Sequence, residues 1–167
     1  MSRAGDDVCR RVTMTSIADW PDAEVFFLVA FRCWLAGYET SDVACWELAW
    51  QGVSKTVPLA DAKRIVAELA QFTRVFRRTL ACPFVYLPYC CARVTADEHL
   101  AVQFVACAQR GELPQAVDLA QKLSANDDHV DLVNAACDLG AVLKQAELSL
   151  TDTGNVAIPC DRSRSLH

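Results

Sequence analysis

The spacing of apolar residues predicts helices along most of the chain. Between residues 22 and 38, Phe27, Phe31, Trp34 and Tyr38 recur at intervals of four, three and four residues, which places them on one helical face. Phe26, Val29, Ala30 and Cys33 cover another side of the same helix. A helix that is apolar on nearly all sides is typical of a buried position, so we expect this first helix to be central.

Proline, glycine and capping residues divide the rest of the chain into further segments of helical length. Residues 58–80 carry the clearest amphipathic stripe. Thr95 and Glu98 have the spacing of a capping box at the start of a helix, and Gly111 is placed to end it. The predicted helices after the first one are 41–52, 58–80, 95–111, 113–124 and a sixth that starts at 126 or 127 and reaches 150.

Residues 81–94 break this pattern with two prolines and several aromatic and β-branched residues. We interpret them as an extended connection, with or without a brief strand, that packs on the helices. The sequence therefore predicts an all-α fold, a compact bundle of five to six helices around a buried first helix. We expect a flexible N-terminus over 1–18, a single helical domain over 19–150 and a loosely ordered tail over 151–167.

One hairpin resembles a known helical unit. Between residues 99 and 123, Gly111, Leu113 and Ala116 stand where the helix-turn-helix hairpin of a tetratricopeptide-like repeat places its turn glycine, an apolar residue and a small packing residue. The bulky Phe104 departs from that pattern, and the chain contains no second copy. The resemblance implies only that two antiparallel helices meet at Gly111.

The composition predicts a folded protein and argues against a membrane-spanning segment. With 53% hydrophobic and 22% charged residues the chain is expected to fold, and its net charge of −5 argues against attraction of the whole surface to nucleic acid. The most apolar stretch, 25–37, is too short to cross a bilayer and contains Arg32. No apolar run of the kind found in signal peptides follows the N-terminal arginines. We expect a cytoplasmic protein with no membrane contact and with reduced thiols.

The nine cysteines are the most unusual feature of the composition. Four on apolar helical faces need no function and two more lie in the terminal segments, which leaves Cys82, Cys90 and Cys91 on the non-helical connection as candidates for redox chemistry. Paired ligands at the two- to four-residue spacing of a zinc site are absent, so no metal ligand is assigned. A thiol- or metal-based sensor using these three cysteines is an alternative function.

Catalytic signatures are missing from the sequence. None of the three histidines lies in a recognisable catalytic motif, and the chain has no glycine-rich phosphate loop and no His-Glu-x-x-His motif. We therefore assign no catalytic residue and no cofactor, and we expect that the protein is not an enzyme.

Two groups of residues are candidates for binding. Arg74, Arg77 and Arg78 end the third helix, where cations interact favourably with the helix dipole. A DNA-binding regulator that uses them is a second alternative, although the net negative charge of the chain disfavours nucleic acid as a partner. Trp46 and Trp50 form a ridge on the second helix. Since Ala44, Cys45, Leu48 and Ala49 supply another apolar face, we expect the ridge either to pack on the first helix or to bind a partner.

The favoured function is accordingly non-catalytic. We expect a helical adaptor, accessory subunit or regulator that binds another protein or associates with itself. Arg32, in the middle of the buried first helix, requires a counter-charge, and the nearest acids in sequence are Asp42 and Glu47.

Overall fold

The computed structural model describes residues 12–124 and 129–151. Within them six α-helices pack against one another, which confirms the predicted all-α bundle with its extended connection. Two short strands, β1 (Val12–Ser16) and β2 (Arg93–Thr95), form an antiparallel pair. The helices are α1 (Asp22–Thr40), α2 (Val43–Thr56), α3 (Leu59–Thr79), α4 (Ala96–Arg110), α5 (Leu113–Leu123) and α6 (Val130–Gln145).

An aromatic cluster joins α1 to the helices around it. Phe27 and Phe31 of α1 stack with their ring centroids 5.5 Å apart, and Phe31 meets Phe72 and Phe76 of α3 at 5.6 and 5.3 Å. Phe72 in turn lies 6.3 Å from Phe104 of α4. All five rings are buried, so burial of aromatic surface is a main source of stability for the bundle.

The two ends of α4 are fixed by the residues that the sequence indicated. The Thr95 side chain accepts the backbone N–H of Glu98 at 3.0 Å, and the Glu98 carboxylate accepts the N–H of Thr95 at 2.9 Å, which completes a capping box. Gly111 follows the helix in the left-handed conformation, with a φ of 76° that glycine adopts without strain. The chain turns there, and α5 packs beside α4.

The described part of the N-terminal segment forms a short strand and a turn before α1. β1 pairs with β2 through Val12 opposite Thr95 and Thr13 opposite Val94, with an irregularity in register before Ser16 reaches Arg93. A short 3₁₀ turn, Ile17–Asp19, leads to the buried Trp20. The flexible N-terminus expected over 1–18 stays a prediction: residues 12–16 pair with β2, and residues 1–11 lie outside the described residues.

The helix α6 ends earlier than its apolar pattern suggested. Glu147 adopts a left-handed φ of 61°, and the N–H of Leu148 bonds to the carbonyl of Leu143 at 2.9 Å, which closes the helix. Leu150, which we had placed on α6, is buried in the segment that follows. The predicted helix start at 126 or 127 and the predicted tail beyond 151 lie outside the described residues.

Residues 148–151, which we call the C-terminal strap, are held by two side chains. The Gln109 side-chain amide donates to the carbonyl of Leu148 at 2.9 Å and accepts the N–H of Leu150 at 2.6 Å. At the end of the strap, the backbone N–H and the hydroxyl of Thr151 both donate to the buried carboxylate of Glu24. The strap therefore links α4 to the first turn of α1.

No helix within the described ranges has both the length and the apolar character needed to cross a bilayer.

Candidate functional site

An open groove of about 450 Å³ lies between α1, α2 and the connection over residues 84–89. Apart from Arg32 and Glu39, the residues that line it are uncharged. We call it the α1–α2 groove and define it by Cys33, Ala36, Cys45, Leu48, Tyr86 and Tyr89. Its volume falls within the range of about 300–1,000 Å³ that is typical of ligand pockets.

A buried ion pair fixes the connection that forms one side of this groove. Arg32 of α1 donates from Nε to Oε1 of Glu98 at 2.7 Å and from Nη2 to Oε2 at 2.9 Å. Both side chains are 0% exposed. The two planar groups thus form a bidentate pair. Our expectation that Asp42 or Glu47 would neutralise Arg32 is wrong: Asp42 caps α2 through the N–H of Ala44, and Glu47 is exposed.

The remaining donors of Arg32 bind backbone carbonyls of the connection. They reach Cys91 at 2.8 Å, Arg93 at 2.6 Å and Pro88 at 3.3 Å. Glu98 accepts the N–H of Leu87 at 2.9 Å in addition to its contacts with Arg32 and the helix cap. Every donor and acceptor of this pair is therefore engaged in holding the chain path, which is what a buried ion pair needs in order to be tolerated.

Two titratable groups of the groove have pKa values above their ordinary ones. The Tyr86 hydroxyl donates to the carboxylate of Glu39, and burial together with that hydrogen bond raises the pKa of Tyr86 above its usual range. Burial, and then the proximity of Cys45, raises the pKa of the Cys33 thiol to about 11. Both groups stay neutral near pH 7, so neither resembles an activated nucleophile or base.

The tryptophan ridge of α2 lies mostly against the bundle. Trp46 stacks on Trp34 with their ring centroids 5.4 Å apart, meets Tyr38 edge-on at 5.4 Å, and donates from Nε1 to the carbonyl of Trp34 at 3.4 Å. Trp50 is half-buried against the core. Trp46 thus packs on the first helix, one of the two arrangements we expected for the ridge; a binding role for Trp46 and Trp50 stays a prediction.

The outer face of α2 carries apolar residues that we had assigned to the core. Leu48 is 39% exposed and Ala44 is exposed, because the buried face of α2 is formed by Ala49 and Val53 beside the tryptophan ridge. Across the groove, Tyr89 is 48% exposed. Sequence reasoning missed Leu48 and Tyr89 as binding candidates, since an i, i+4 pattern does not show which of two apolar faces turns inward.

The three arginines at the end of α3 are exposed, and each has a partner within the chain. The Arg74 guanidinium bonds the side chain of Gln71, Arg77 lies over the ring of Tyr38 at 4.9 Å, and Arg78 meets Asp131 at 3.4 Å. Such exposed contacts are weak and leave the cations accessible. The DNA-binding alternative therefore stays a prediction.

The three cysteines of the connection do not assemble into a ligand set. Cys82 and Cys90 are exposed and Cys91 is half-buried. Across residues 12–124 and 129–151, no group of three or more His, Cys, Asp or Glu side chains is arranged to hold a metal ion. His99, near these cysteines in the sequence, is buried against Trp20 with ring centroids 5.6 Å apart. Thiol oxidation at these three cysteines stays a prediction.

A second groove of about 670 Å³ runs between α4 and α5. Its one cationic lining residue, Arg110, forms a bidentate pair with Glu112 at 2.9 and 2.7 Å, and this hydrogen bonding lowers the pKa of the Glu112 carboxyl. The two charges neutralise each other at the rim. None of the residues that line this groove is a large, strongly exposed apolar residue. The α1–α2 groove differs, because Leu48 and Tyr89 are of that kind.

No protein-family model, curated protein or solved structure matches this chain.

Proposed function

We propose that this protein is a non-catalytic adaptor, accessory subunit or regulator that binds another protein through the α1–α2 groove. The observation that carries the proposal is the pairing of Leu48 and Tyr89. These two side chains are 39% and 48% exposed and line the same apolar groove from opposite sides. Exposed apolar surface of this kind, concentrated at a concave site, is typical of protein-binding surfaces.

The groove is also held in shape without a ligand. Arg32 and Glu98 fix the backbone of the connection at five points, through the carbonyls of residues 88, 91 and 93 and the N–H groups of residues 87 and 95. A preformed site loses little conformational entropy when a partner binds.

The chemistry of the groove favours binding over catalysis. The pKa values of Tyr86 and Cys33 are raised rather than lowered, so neither group is activated as a base or nucleophile. We further propose that the protein acts in the cytoplasm. The seven cysteines of the described residues are free thiols, which suits a reducing compartment.

The test is affinity capture from the native cell with matched variants. Leu48→Asp combined with Tyr89→Asp places two charges at the groove, whereas Leu113→Asp places one on α5 at a residue that is 51% exposed and does not line the groove. We expect a partner that wild type and Leu113→Asp recover equally and that the double variant loses. Circular dichroism checks that all three proteins are folded.

Two results would count against the proposal: a partner set that the double variant recovers in full, or a monomeric wild-type protein that recovers nothing. Sedimentation velocity of the purified chain distinguishes binding of a second copy from binding of another protein. If wild type dimerises and the double variant does not, self-association is the function of the groove.

A further inference from the structure

Residues 84–89 of the connection line the α1–α2 groove, and one edge of this backbone, at Phe84 and Tyr86, has no hydrogen-bond partner among the described residues. On its other edge, the N–H of Val85 donates to Asp97 at 2.9 Å and the carbonyl of Val85 accepts the Thr95 hydroxyl at 2.7 Å. Two residues later, the N–H of Leu87 donates to Glu98 at 2.9 Å. Side chains at the start of α4 thus occupy the positions that a neighbouring strand would take.

Hydrogen bonding at every second residue is the pattern of an extended chain, in which alternate residues direct their N–H and C=O groups to opposite edges. The groups of Val85 and Leu87 point to α4, so those of Phe84 and Tyr86 point away from it. The backbone N–H and C=O groups of Phe84 and Tyr86 form no hydrogen bond with any residue in the described ranges. Pro83 and Pro88 bound this edge on either side.

The charge beside this edge is negative. Arg32 and Glu39 are the two charged residues that line the groove, and Arg32 is buried and neutralised by Glu98. Glu39 is exposed on the last turn of α1 and accepts the Tyr86 hydroxyl, so its carboxylate lies next to the side chain of the edge residue. A cationic side chain entering the groove would meet this carboxylate, although Arg77 of α3, which lies over Tyr38, also acts on Tyr86 and offsets part of the negative charge.

We infer that the groove binds an extended segment of a partner protein, which adds as a strand to Phe84 and Tyr86 and places a lysine or arginine beside Glu39. This inference rests on the proposed function and specifies its partner. Strand addition supplies main-chain hydrogen bonds, and the apolar positions at Leu48 and Tyr89 accept alternate side chains of the added segment. The segment is short, because the edge is two bonding residues long.

A phage-displayed library of random heptapeptides, selected on the immobilised full chain, provides the probe. We expect enriched peptides that alternate apolar residues with lysine or arginine. The best peptide is then synthesised and bound to the protein, and hydrogen exchange of the protein's backbone amides is followed by NMR. We expect exchange to slow at Tyr86 and to stay unchanged at Val85 and Leu87, whose N–H groups already have acceptors. N-methylation of the peptide residue opposite Tyr86 should weaken binding about tenfold, and N-methylation of the next residue should not.

Protein variants separate this inference from the proposed function. Glu39→Gln should weaken binding several-fold and reduce its salt dependence, whereas Asp118→Asn on α5, an exposed acid outside the α1–α2 groove, should do neither. Strand addition would be overturned if the peptides that lose binding to Leu48→Asp were acidic, or if their binding left amide exchange at Tyr86 fast. Either result would still support the groove as the binding site. Peptides that bind wild type and Leu48→Asp equally would overturn both.

Discussion

The helices α4 and α2 are nearly equal in length, at 15 and 14 residues, yet they differ sharply in burial. Ten residues of α4 are buried, among them the charged Glu98, whereas α2 buries only Ala49 and Val53. α4 contacts α1, α5, α6 and β2, and so organises the bundle. α2 leaves apolar residues in solvent, which is the feature of α2 that supports the proposed binding function.

The manner in which α2 is attached explains its exposed face. Its Trp46 ring fits against Gly37 of α1 and stacks on Trp34. This aromatic contact and the buried Ala49 and Val53 form the inner face of α2, which leaves Leu48 on the outside. α4, in contrast, is held by packing along its length and by the Arg32–Glu98 pair. We expect substitutions in α4 to affect folding and substitutions on the outer face of α2 to affect binding.

The largest expected effect is that of Glu98→Ala. The change leaves the Arg32 charge buried without a counter-charge and two backbone N–H groups without acceptors, so we expect a loss of about 3–5 kcal/mol in the free energy of unfolding. Urea denaturation measures it. The double variant Arg32→Met, Glu98→Leu should be less destabilised than the sum of the two single changes. Additive losses would mean that the pair is not coupled.

A direct comparison of the two helices comes from Phe104→Ala and Leu48→Ala. Phe104 of α4 is 0% exposed, and its truncation leaves a cavity that costs about 3–5 kcal/mol. Leu48 of α2 is 39% exposed, and its truncation should change the free energy of unfolding by less than about 0.5 kcal/mol. A loss at Leu48 as large as that at Phe104 would show that the outer face of α2 is part of the folding core.

The sequence predicted the helices well where local signals agree. The capping box at Thr95 and the turn at Gly111 placed both ends of α4 within one residue. Gly52 was a poorer guide, because glycine is tolerated within a helix; α2 continues to Thr56, and Pro58 imposes the extended conformation on Val57 that ends it. The end of α6 was missed because Glu147 adopts a left-handed φ that its residue type disfavours.

The candidate site was less accessible to sequence reasoning, because its contacts join distant parts of the chain. Arg32 and Glu98 are 66 residues apart, and no local pattern pairs them. The sequence did indicate that Arg32 needed a partner and that residues 81–94 were extended. What it could not indicate was which apolar face of α2 points outward, since Trp46 and Leu48 are equally apolar in pattern and only packing against Gly37 decides between them.

Two glycines test the attachment of α2. At Gly37 an added methyl group would lie 2.6 Å from Cδ1 of Trp46, so Gly37→Ala must displace the indole and should cost about 1–3 kcal/mol. At Gly52 nothing lies within 4 Å, so Gly52→Ala should stabilise the helix by about 0.4–1 kcal/mol. Urea denaturation and the tryptophan emission of the native state measure both. A neutral Gly37→Ala with unchanged emission would contradict the aromatic attachment.

The last comparison concerns thiol reactivity rather than folding. It is between Cys45 of α2 and Cys33 of α1, which both line the groove. Cys45 is half-buried, whereas Cys33 is 3% exposed and its pKa is raised from 9.0 to about 11. A pKa of about 11 makes the thiolate of Cys33 roughly a hundredfold scarcer at neutral pH than a pKa of 9.0 would. Iodoacetamide should therefore modify Cys45 before Cys33, and mass spectrometry measures the order.

The raised pKa also gives a pH dependence with a definite sign. Below pH 9 the Cys33 thiol is neutral in both the folded and the unfolded chain, so its contribution to stability is complete. Between pH 9 and about 11 the unfolded chain ionises first, and the free energy of unfolding should fall as pH rises. Urea denaturation at pH 8 and pH 10.5, with Cys33→Ala as control, measures this. If the control falls as steeply as wild type, other groups cause the change, and Cys33 is not shielded beneath the groove.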